Sequence, residues 1–409
     1  MRNAAKQKLS DLAIFGGKPT FKEKLHVGCP NIGNHKQFFK RINDILDKRR
    51  LTHNGPYVIE LERKIASLIG VKHCIVTCNG TLALEIAIRS LGLEGEVIVP
   101  SFTYVATAHA ALWQNIIPVF CDIHPETYTI NSEKIEDLIT PRTTGIIGVH
   151  LWGRPCMIES LGDIASRRGL KLLFDAAHAF GCSYRGRMVG SFGNAEVFSF
   201  HATKIINAFE GGAVVTNDDD LAGRIRLMKN FGFAGYDNVI CLGTNAKMTE
   251  VSAAMGLTNL QSFDTFIAIN HRNYKEYLRQ LKDINGLSLL LYNEEEKNNF
   301  QYIILKINET EAHLSRDELI TILHAENVLA RRYFYPGCHR LEPYRSIFPN
   351  AGTILPETQK LAQQVVALPT GTSVIPVDIK KICEIIRFAV SHSSDIKAKL
   401  SQSSFKTKA

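Results

Sequence analysis

Short apolar runs rich in β-branched residues alternate with helix-like stretches through the first half of the chain. The runs predict strands at 74–78, 96–100, 117–121, 145–149 and 171–174. Helices are predicted between them at 81–91, 103–113 and 158–168. Apolar strands joined by crossover helices favour a mostly parallel sheet covered on both faces. The runs 195–199 and 212–216 have little helix between them, which predicts a hairpin-like addition to this α/β fold.

The pattern changes after about residue 261. It predicts a helix at 263–281, a strand at 301–306 and helices near 316–326 and 377–390, which together indicate a smaller α+β domain. The predicted organisation is an N-terminal arm (1–30), a large domain (31–262), a small C-terminal domain (263–395) and a frayed polar tail (396–409).

Composition narrows the function classes. The chain has 409 residues with 45% hydrophobic and 22% charged, as in ordinary globular proteins. Its net charge of +8 comes from dispersed basic residues, so we expect no nucleic-acid partner. We find neither a secretory pattern nor an apolar stretch long enough to span a membrane. The nine cysteines form no CxxC pair, so we expect a cytoplasmic location, no disulfide framework and no metal site.

Two candidate groups follow predicted strands. Asn79-Gly80-Thr81 opens a helix, where free amides and a hydroxyl could bind an anion, although a plain helix cap is an equal alternative. Asp175 ends another strand, where a carboxylate could pair with a protonated pyridine nitrogen or simply cap a helix. Ligands of parallel α/β sheets bind at these strand ends.

The segment Phe198-Ser-Phe-His-Ala-Thr-Lys204 is the strongest candidate for chemistry. Ser199 ends a strand and can face a phosphate, and Lys204 follows five residues later among small and aromatic residues. A lysine forms a Schiff base well when burial lowers its pKa. Taken alone, a lysine such as Lys204 is more often a solvated surface residue, and a histidine such as His178 is more often structural.

Several motifs spread over nearly the whole chain resemble one enzyme family. They are Leu12-Ala-Ile-Phe-Gly-Gly-Lys-Pro19, His53-Asn-Gly-Pro56, Gly148-Val-His-Leu-Trp-Gly153, Asp175-Ala-Ala-His-Ala179, Val189-Gly-Ser-Phe-Gly193, Phe198-Ser-Phe-His201 and Glu210-Gly-Gly-Ala-Val-Val-Thr216. Together with Lys204 they are similar to the sugar aminotransferases of the DegT and StrS type, which are fold-type I pyridoxal-phosphate enzymes. The resemblance implies a mostly parallel sheet sandwiched by helices, with a smaller C-terminal domain.

The resemblance also implies roles around the cofactor ring. Lys204 would hold pyridoxal 5'-phosphate, with pyridoxamine phosphate as the intermediate form, and Asp175 would meet the ring nitrogen. Tyr104 would stack on the ring, and His178 would lie near its phenolic oxygen.

Other implied roles concern the phosphate, the substrate and a second subunit. Gly80, Thr81 and Ser199 would bind the phosphate, and Asn245 would reach the phosphate of a neighbouring subunit, which implies a homodimer with shared sites. Three residues would approach the sugar; they are Tyr333, Tyr335 and His339.

Two departures from the common family pattern point to a subgroup. Phe209 stands where many members have glycine, and His178 where many have glutamine. With Tyr335-Pro-Gly-Cys-His-Arg-Leu-Glu-Pro-Tyr344, these variants are similar to the 4-aminotransferases acting on dTDP-4-keto-6-deoxyglucose in the desosamine pathway. The implied reaction takes an amino group from glutamate and places it on C4 of the nucleotide-linked keto sugar.

Four other functions stay open from sequence. Amination at C3 of a keto sugar is one, and a sugar dehydratase is another, although those enzymes carry histidine in place of Lys204. A non-catalytic homologue would be expected to lose Lys204 or Asp175. An amino-acid aminotransferase would need an arginine clamp for a carboxylate, for which Arg331 and Arg332 are candidates, although solvated surface arginines are the commoner outcome.

Overall fold

We describe a computed structural model of the chain over residues 6–406, with side chains through residue 401. Its α-helices are α1 (His35–Lys48), α2 (Pro56–Ile69), α3 (Gly80–Ser90), α4 (Ala106–Leu112), α5 (Ile158–Arg168), α6 (Asp219–Met228), α7 (Glu250–Gln261), α8 (Phe263–Leu281), α9 (Glu309–Ala312), α10 (Arg316–Ala325), α11 (Tyr344–Ile347), α12 (Pro356–Gln364), α13 (Pro376–Ser391) and α14 (Ser393–Lys406).

The strands form one large sheet and several smaller ones. They are β1 (Leu25–His26), β2 (His73–Thr77), β3 (Glu96–Pro100), β4 (Ile117–Cys121), β5 (Thr143–Val149), β6 (Lys171–Asp175), β7 (Ser183–Tyr184), β8 (Arg187–Met188), β9 (Ala195–Ser199), β10 (Gly212–Thr216), β11 (Phe233–Gly235), β12 (Asn238–Val239), β13 (Leu287–Leu289), β14 (Ile303–Ile307), β15 (Val328–Leu329) and β16 (Val365–Leu368).

The large sheet has seven strands in the order β2-β10-β9-β6-β5-β3-β4. Strands β4, β3, β5, β6 and β9 pair in parallel, while β10 runs antiparallel to both β9 and β2. The strands are buried on both faces, which explains why they read as nearly continuous apolar runs. The predicted parallel α/β sheet and its hairpin-like addition are confirmed.

Helices α3, α4 and α5 follow strands β2, β3 and β5 and lie against the sheet. Helix α5 matches its predicted bounds, and it ends at Gly169, whose φ of 65° is the left-handed conformation that favours glycine. Helix α4 starts at Ala106, three residues later than predicted, and residues 101–105 form an irregular loop instead. That loop carries Tyr104 over the sheet edge.

The C-terminal part builds its own core around an antiparallel sheet. Strands β13, β14 and β16 pair antiparallel, and α8, α10 and α13 pack on them around buried residues such as Leu305 and Ile382. The chain changes direction at Ser262, between α7 and α8. We propose the boundary between the large and small domains at this point.

Both ends of the described chain pack on the small domain. Leu12 is fully buried there, and the Glu326 carboxylate accepts hydrogen bonds from the backbone amides of Ala13 (2.8 Å) and Thr20 (2.7 Å). The tail predicted to fray at 396–409 is helical through α14, because Ile396 is buried in the same core. Residues 1–5 of the predicted arm and 407–409 of the tail lie outside the described residues. None of the helices between residues 6 and 406 has the length and apolar character to cross a membrane.

Candidate active site

The candidate site lies where several strands of the large sheet end together. Strands β6 and β9 are adjacent and parallel. Strand β10 runs antiparallel to both β9 and β2, so β2 points in the same direction as β9. The carboxyl ends of these three strands therefore share one edge of the sheet, where ligands of open α/β folds bind.

A cavity of about 260 Å³ opens at this edge. Eight of the residues predicted to form the site line it; they are Gly80, Thr81, Tyr104, Asp175, His178, Ser199, Lys204 and Tyr333. Residues from five separate segments of the chain thus meet in one cavity.

Lys204 follows β9 and extends its amine into this cavity. Its Nζ lies 3.4 Å from the hydroxyl of Tyr302, to which it donates a hydrogen bond. Burial lowers the pKa of Lys204 to about 8, although the charge of Asp175 acts in the opposite direction. A substantial fraction of the amine is therefore neutral near pH 8, the form that can attack a carbonyl carbon.

Asp175 ends β6 and is 6% exposed. Its Oδ2 accepts a hydrogen bond from the hydroxyl of Thr107 (2.8 Å), and its Oδ1 accepts one from the amide of Ala177 (3.1 Å). Two donors hold the carboxylate in one orientation at the floor of the cavity. Each oxygen keeps a lone pair that could accept from a further donor.

His178 lies on the cavity wall with a defined proton position. The backbone amide of Trp152 donates to its Nδ1 (3.2 Å), so Nδ1 carries a lone pair and the proton lies on Nε2. Burial, together with the nearby charge of Lys204, holds the pKa of His178 well below its usual range. The neutral ring can therefore donate a hydrogen bond from Nε2.

Helix α3 begins at this edge, and its side-chain cap occupies only one of the amides of the first turn. The side chain of Asn79 caps it by accepting the amide of Leu82 (2.8 Å), and Gly80 and Thr81 follow in the first turn. Amides in the first turn of a helix have no partner within the helix, so they can bind an anion. Ser199 packs closely here, because a Cβ on Gly80 would lie 3.1 Å from its Cβ.

Aromatic side chains form the wall opposite the sheet. Tyr104 lines the cavity with 59% of its surface exposed, and its ring centre lies 6.2 Å from that of Phe334. The ring of His178 stacks on Phe334 and lies 4.5 Å from the ring of Tyr302. Sequence reasoning missed Tyr302, since it comes from the small domain and nothing in its local pattern marks it, whereas Phe334 lies in the segment 333–339 that the resemblance placed near the sugar.

Three predicted site residues lie outside this cavity. Asn245 is on the surface, bridged to Asn230. Tyr335 lines a neighbouring groove, and the guanidinium groups of Arg316 and Arg332 lie over its ring. His339 is 3% exposed and bonds through Nδ1 to the hydroxyl of Ser101 (2.7 Å). The substrate contacts expected of Tyr335 and His339 thus have no support from this cavity.

The residues present fit pyridoxal phosphate on the chemistry of their donors. A lysine amine with a lowered pKa, a buried carboxylate and an open helix N-terminus lie around one cavity, as an aldehyde, a pyridine nitrogen and a phosphate would require. No group of three or more His, Cys, Asp or Glu side chains that could hold a metal ion occurs within the described part of the chain.

Solved structures share this fold over almost the whole chain. The crystal structure of DesI in the presence of its TDP-sugar product superposes with a TM-score of 0.93 at 46% identity, covering 96% of this chain and 100% of DesI.

Curated relatives give the same result at the level of sequence. A dTDP-4-amino-4,6-dideoxy-D-glucose transaminase of Shigella dysenteriae is 37% identical over 372 residues, covering 90% of this chain and 99% of the relative. GDP-perosamine synthase of Caulobacter vibrioides is 32% identical over 365 residues, covering 88% and 96%. Residues 33–387 match the model of one family. The chain therefore belongs to the DegT/DnrJ/EryC1/StrS aminotransferase family.

Proposed function

We propose that this protein is a pyridoxal-phosphate-dependent aminotransferase acting on a dTDP-linked 4-keto-6-deoxyhexose. The product is the 4-amino-4,6-dideoxy sugar, and glutamate is the amino donor. The observation that carries the chemistry is the Lys204 amine, whose pKa is lowered to about 8, in one cavity with Asp175. The names of the Shigella relative and of DesI's TDP-sugar product support the choice of substrate.

In this proposal the cofactor, when bound, withdraws electrons from the substrate carbon that carries the amino group. Asp175 holds a proton on the ring nitrogen and so maintains that withdrawal. Tyr104 would pack on the ring face, and His178 would donate a hydrogen bond from its Nε2–H to the ring's phenolic oxygen. The amides of Gly80 and Thr81 bind the phosphate together with the Ser199 hydroxyl.

Lys204 has two tasks in the reaction. Its neutral amine would hold the cofactor through the carbonyl carbon, with loss of water, until the amino group of the donor takes its place. Once free, Nζ would move a proton between the substrate carbon and the cofactor carbon within each half-reaction, as general acid–base catalysis requires. The hydroxyl of Tyr302, 3.4 Å away, keeps the amine directed into the cavity.

The substrate is tested by incubating the enzyme with glutamate and a panel of sugars. The panel contains dTDP-, UDP- and GDP-linked 4-keto-6-deoxyhexoses and a dTDP-linked 3-keto-6-deoxyhexose, and products are identified by mass and NMR. We expect the highest kcat/KM with the dTDP-linked 4-keto sugar. The GDP-linked sugar is the second candidate, since the Caulobacter relative is a GDP-perosamine synthase.

Other products would contradict the proposal in distinct ways. An amine at C3 would make the protein a 3-keto-sugar aminotransferase. A product that has lost a sugar hydroxyl but gained no nitrogen would make the protein a sugar dehydratase. Pyridoxamine phosphate that forms with glutamate but reacts with none of these sugars would exclude a nucleotide-sugar substrate of these classes.

Substitution of Gly80 is expected to weaken cofactor binding. The Cβ of Gly80→Ala would meet Ser199 at 3.1–3.3 Å and crowd the proposed phosphate position. We expect the Kd of the apoenzyme for pyridoxal phosphate to rise about tenfold, as the loss of about one hydrogen bond produces. Gly162→Ala in α5 is the matched control, since its Cβ meets nothing within 4 Å. Equal Kd values for both variants would contradict a phosphate at α3.

Attachment of the cofactor to the apoenzyme should depend on pH through Lys204. Burial lowers its pKa to about 8, so the amine is protonated below that pH and neutral above it. The rate of covalent attachment should rise about tenfold per pH unit below pH 8 and level off above it. The pKa of His178 is held well below its usual range, so His178 stays neutral over this pH interval and does not contribute to the pH dependence. Stopped-flow absorbance measures the rate; a midpoint near 10 would contradict a buried, reactive amine.

A homodimer with shared sites is part of the proposal. Large apolar side chains are exposed on α1 and around the β11–β12 hairpin, including Phe39, Leu46, Tyr236 and Leu242. Exposed apolar surface of this kind marks association sites. Asn245 is exposed in the segment that follows the hairpin, and a second copy of the chain bound there would bring it to the partner's phosphate.

Complementation between two inactive variants tests the shared site. Lys204→Ala and Asn245→Asp should each abolish activity in a homodimer, the second by placing a negative charge beside the phosphate. In a mixed dimer one site keeps both native residues, so equal mixing should restore about a quarter of wild-type activity. Lys204→Ala mixed with Asp175→Asn is the control, and it should restore nothing because both residues serve their own subunit. Equal results would place Asn245 outside the partner's site.

A further inference from the structure

A fully buried glutamate lies beside the candidate site and takes no part in the proposed chemistry. Glu196 is the second residue of β9, paired with Phe174 of β6, and is 0% exposed. Its Oε1 accepts the amide of Phe192 (2.7 Å), and its Oε2 lies 3.1 Å from Nε2 of His150. Burial of a carboxylate costs free energy unless the group is hydrogen-bonded, so these two partners are needed to stabilise Glu196 in the folded protein.

The hydrogen bonds of His150 define which of its nitrogens carries the proton. The amide of Cys156 lies 3.1 Å from Nδ1, and a backbone amide can only donate, so Nδ1 has no proton. The proton is therefore on Nε2, from which it is donated to Glu196. Burial lowers the pKa of His150, whereas Cys156 and Glu196 raise it to about 10, but a second proton on Nδ1 would face the Cys156 N–H, so this geometry holds the neutral Nε2–H form. The His150 ring, 0% exposed and stacked on Phe174 at 4.8 Å, thus closes the loop 150–156 through its side chain.

That loop presents the amide which orients His178. Trp152 has a φ of 55°, an uncommon backbone conformation for a residue with a side chain. Its carbonyl accepts a hydrogen bond from Tyr292 (2.9 Å), while its amide donates to Nδ1 of His178 (3.2 Å). The closed loop therefore determines that Nδ1 of His178 accepts and that Nε2 carries the proton.

We propose that Glu196 and His150 are positioning residues that set the tautomer of His178. The carboxylate selects the Nε2–H form of His150, which accepts the Cys156 amide and closes the loop. The closed loop aims the Trp152 amide at His178 and leaves the His178 Nε2 proton for the cavity. A hydrogen bond from His178 Nε2–H to a phenolic oxygen rests on the proposed function. The tautomer of His178 is a property of the protein without cofactor.

The tautomers are measured directly by ¹⁵N NMR of the full-length apoenzyme labelled at histidine. Signals of His178 and His150 are identified by their loss in His178→Asn and His150→Asn. In the wild type we expect both rings in the Nε2–H form. Either ring in the Nδ1–H form would overturn the inference, while leaving the aminotransferase assignment to be decided by the sugar panel.

Glu196→Gln tests the origin of this preference. The glutamine amide must still accept the Phe192 amide, so its NH₂ group faces His150 and requires Nε2 to accept. The proton then moves to Nδ1 and opposes the Cys156 amide, which opens the loop. We expect His178 to change from one tautomer to a mixture of both. Glu96→Gln, at a buried strand glutamate near the opposite edge of the sheet, should leave His178 unchanged.

A second pair of variants gives the same information at His150 if Glu196→Gln fails to fold. The side-chain oxygen of His150→Asn takes the place of Nδ1 and can accept the Cys156 amide, so the His178 tautomer should be kept. His150→Gln places its amide at Nε2 and loses that acceptor, so both tautomers should appear. An unchanged His178 in folded Glu196→Gln, or the same His178 spectrum in the two His150 variants, would overturn the proposal.

Discussion

Lys204→Ala is expected to abolish turnover and to remove the visible absorption that the covalently attached cofactor gives. Two contributions disappear together, since the amine both anchors the cofactor and carries the proton. Acid–base catalysis alone typically contributes 10²–10⁴-fold, so activity should fall below detection. Absorbance spectra of the apoenzyme titrated with pyridoxal phosphate, followed by assays with glutamate and the keto sugar, measure both effects.

Folding must be separated from chemistry in this variant. The lowered pKa of Lys204 means that burial of its charge disfavours the native state, so Lys204→Ala should unfold at no lower temperature than the wild-type apoenzyme. Small primary amines in solution should restore part of the rate, because they can enter the space that the side chain leaves. A variant that keeps the absorption band would show that another amine holds the cofactor.

The strand-end residues could be predicted because their positions follow from local rules. Asp175, Ser199 and Gly80 lie at or within two residues of the ends of apolar runs, and parallel strands bring their carboxyl ends to one edge. Lys204 is five residues beyond a strand, so the short loop keeps it close. The sheet and the strand-end position of these residues therefore followed from periodicity and chain order, whereas Tyr104 and Tyr333 were named only through the family resemblance.

The opposite wall of the site could not be predicted in the same way. Tyr302 comes 98 residues after Lys204 and reaches it only because the small domain packs against the large one. Val27 and Gly28 also line the cavity, although the N-terminal segment was expected to be an arm. These contacts depend on how two domains meet, and no local sequence pattern encodes that arrangement.

The buried polar network shows a different limit. Glu196 lies in a strand that reads as apolar, and sequence alone gave no reason to separate it from its neighbours. Its partner His150 lies within a family motif, but the motif does not state which nitrogen accepts a hydrogen bond. Only the backbone amides of Cys156 and Trp152, which can donate and not accept, determine the proton positions.

Asp175→Asn is expected to separate the charge of this side chain from its shape. The asparagine oxygen can still accept the Ala177 amide, and the hydroxyl of Thr107 can rotate to accept from the new NH₂ group because it also contacts Thr103 (3.0 Å). The fold should therefore persist. An amide carries no negative charge, so it cannot hold the proton on the ring nitrogen, and electron withdrawal weakens.

We expect kcat for Asp175→Asn to fall about 10²–10³-fold, the size typical of losing one preorganised electrostatic group. Thr107→Val is the matched control, because it removes a hydrogen bond to the carboxylate but keeps the charge, and its effect should be about tenfold or less. The ¹⁵N resonance of labelled pyridoxal phosphate reports the ring proton in each enzyme. A protonated ring nitrogen in Asp175→Asn at an unchanged rate would assign that proton to another group, whereas a deprotonated nitrogen with a slow rate identifies Asp175 as the residue that maintains the charge.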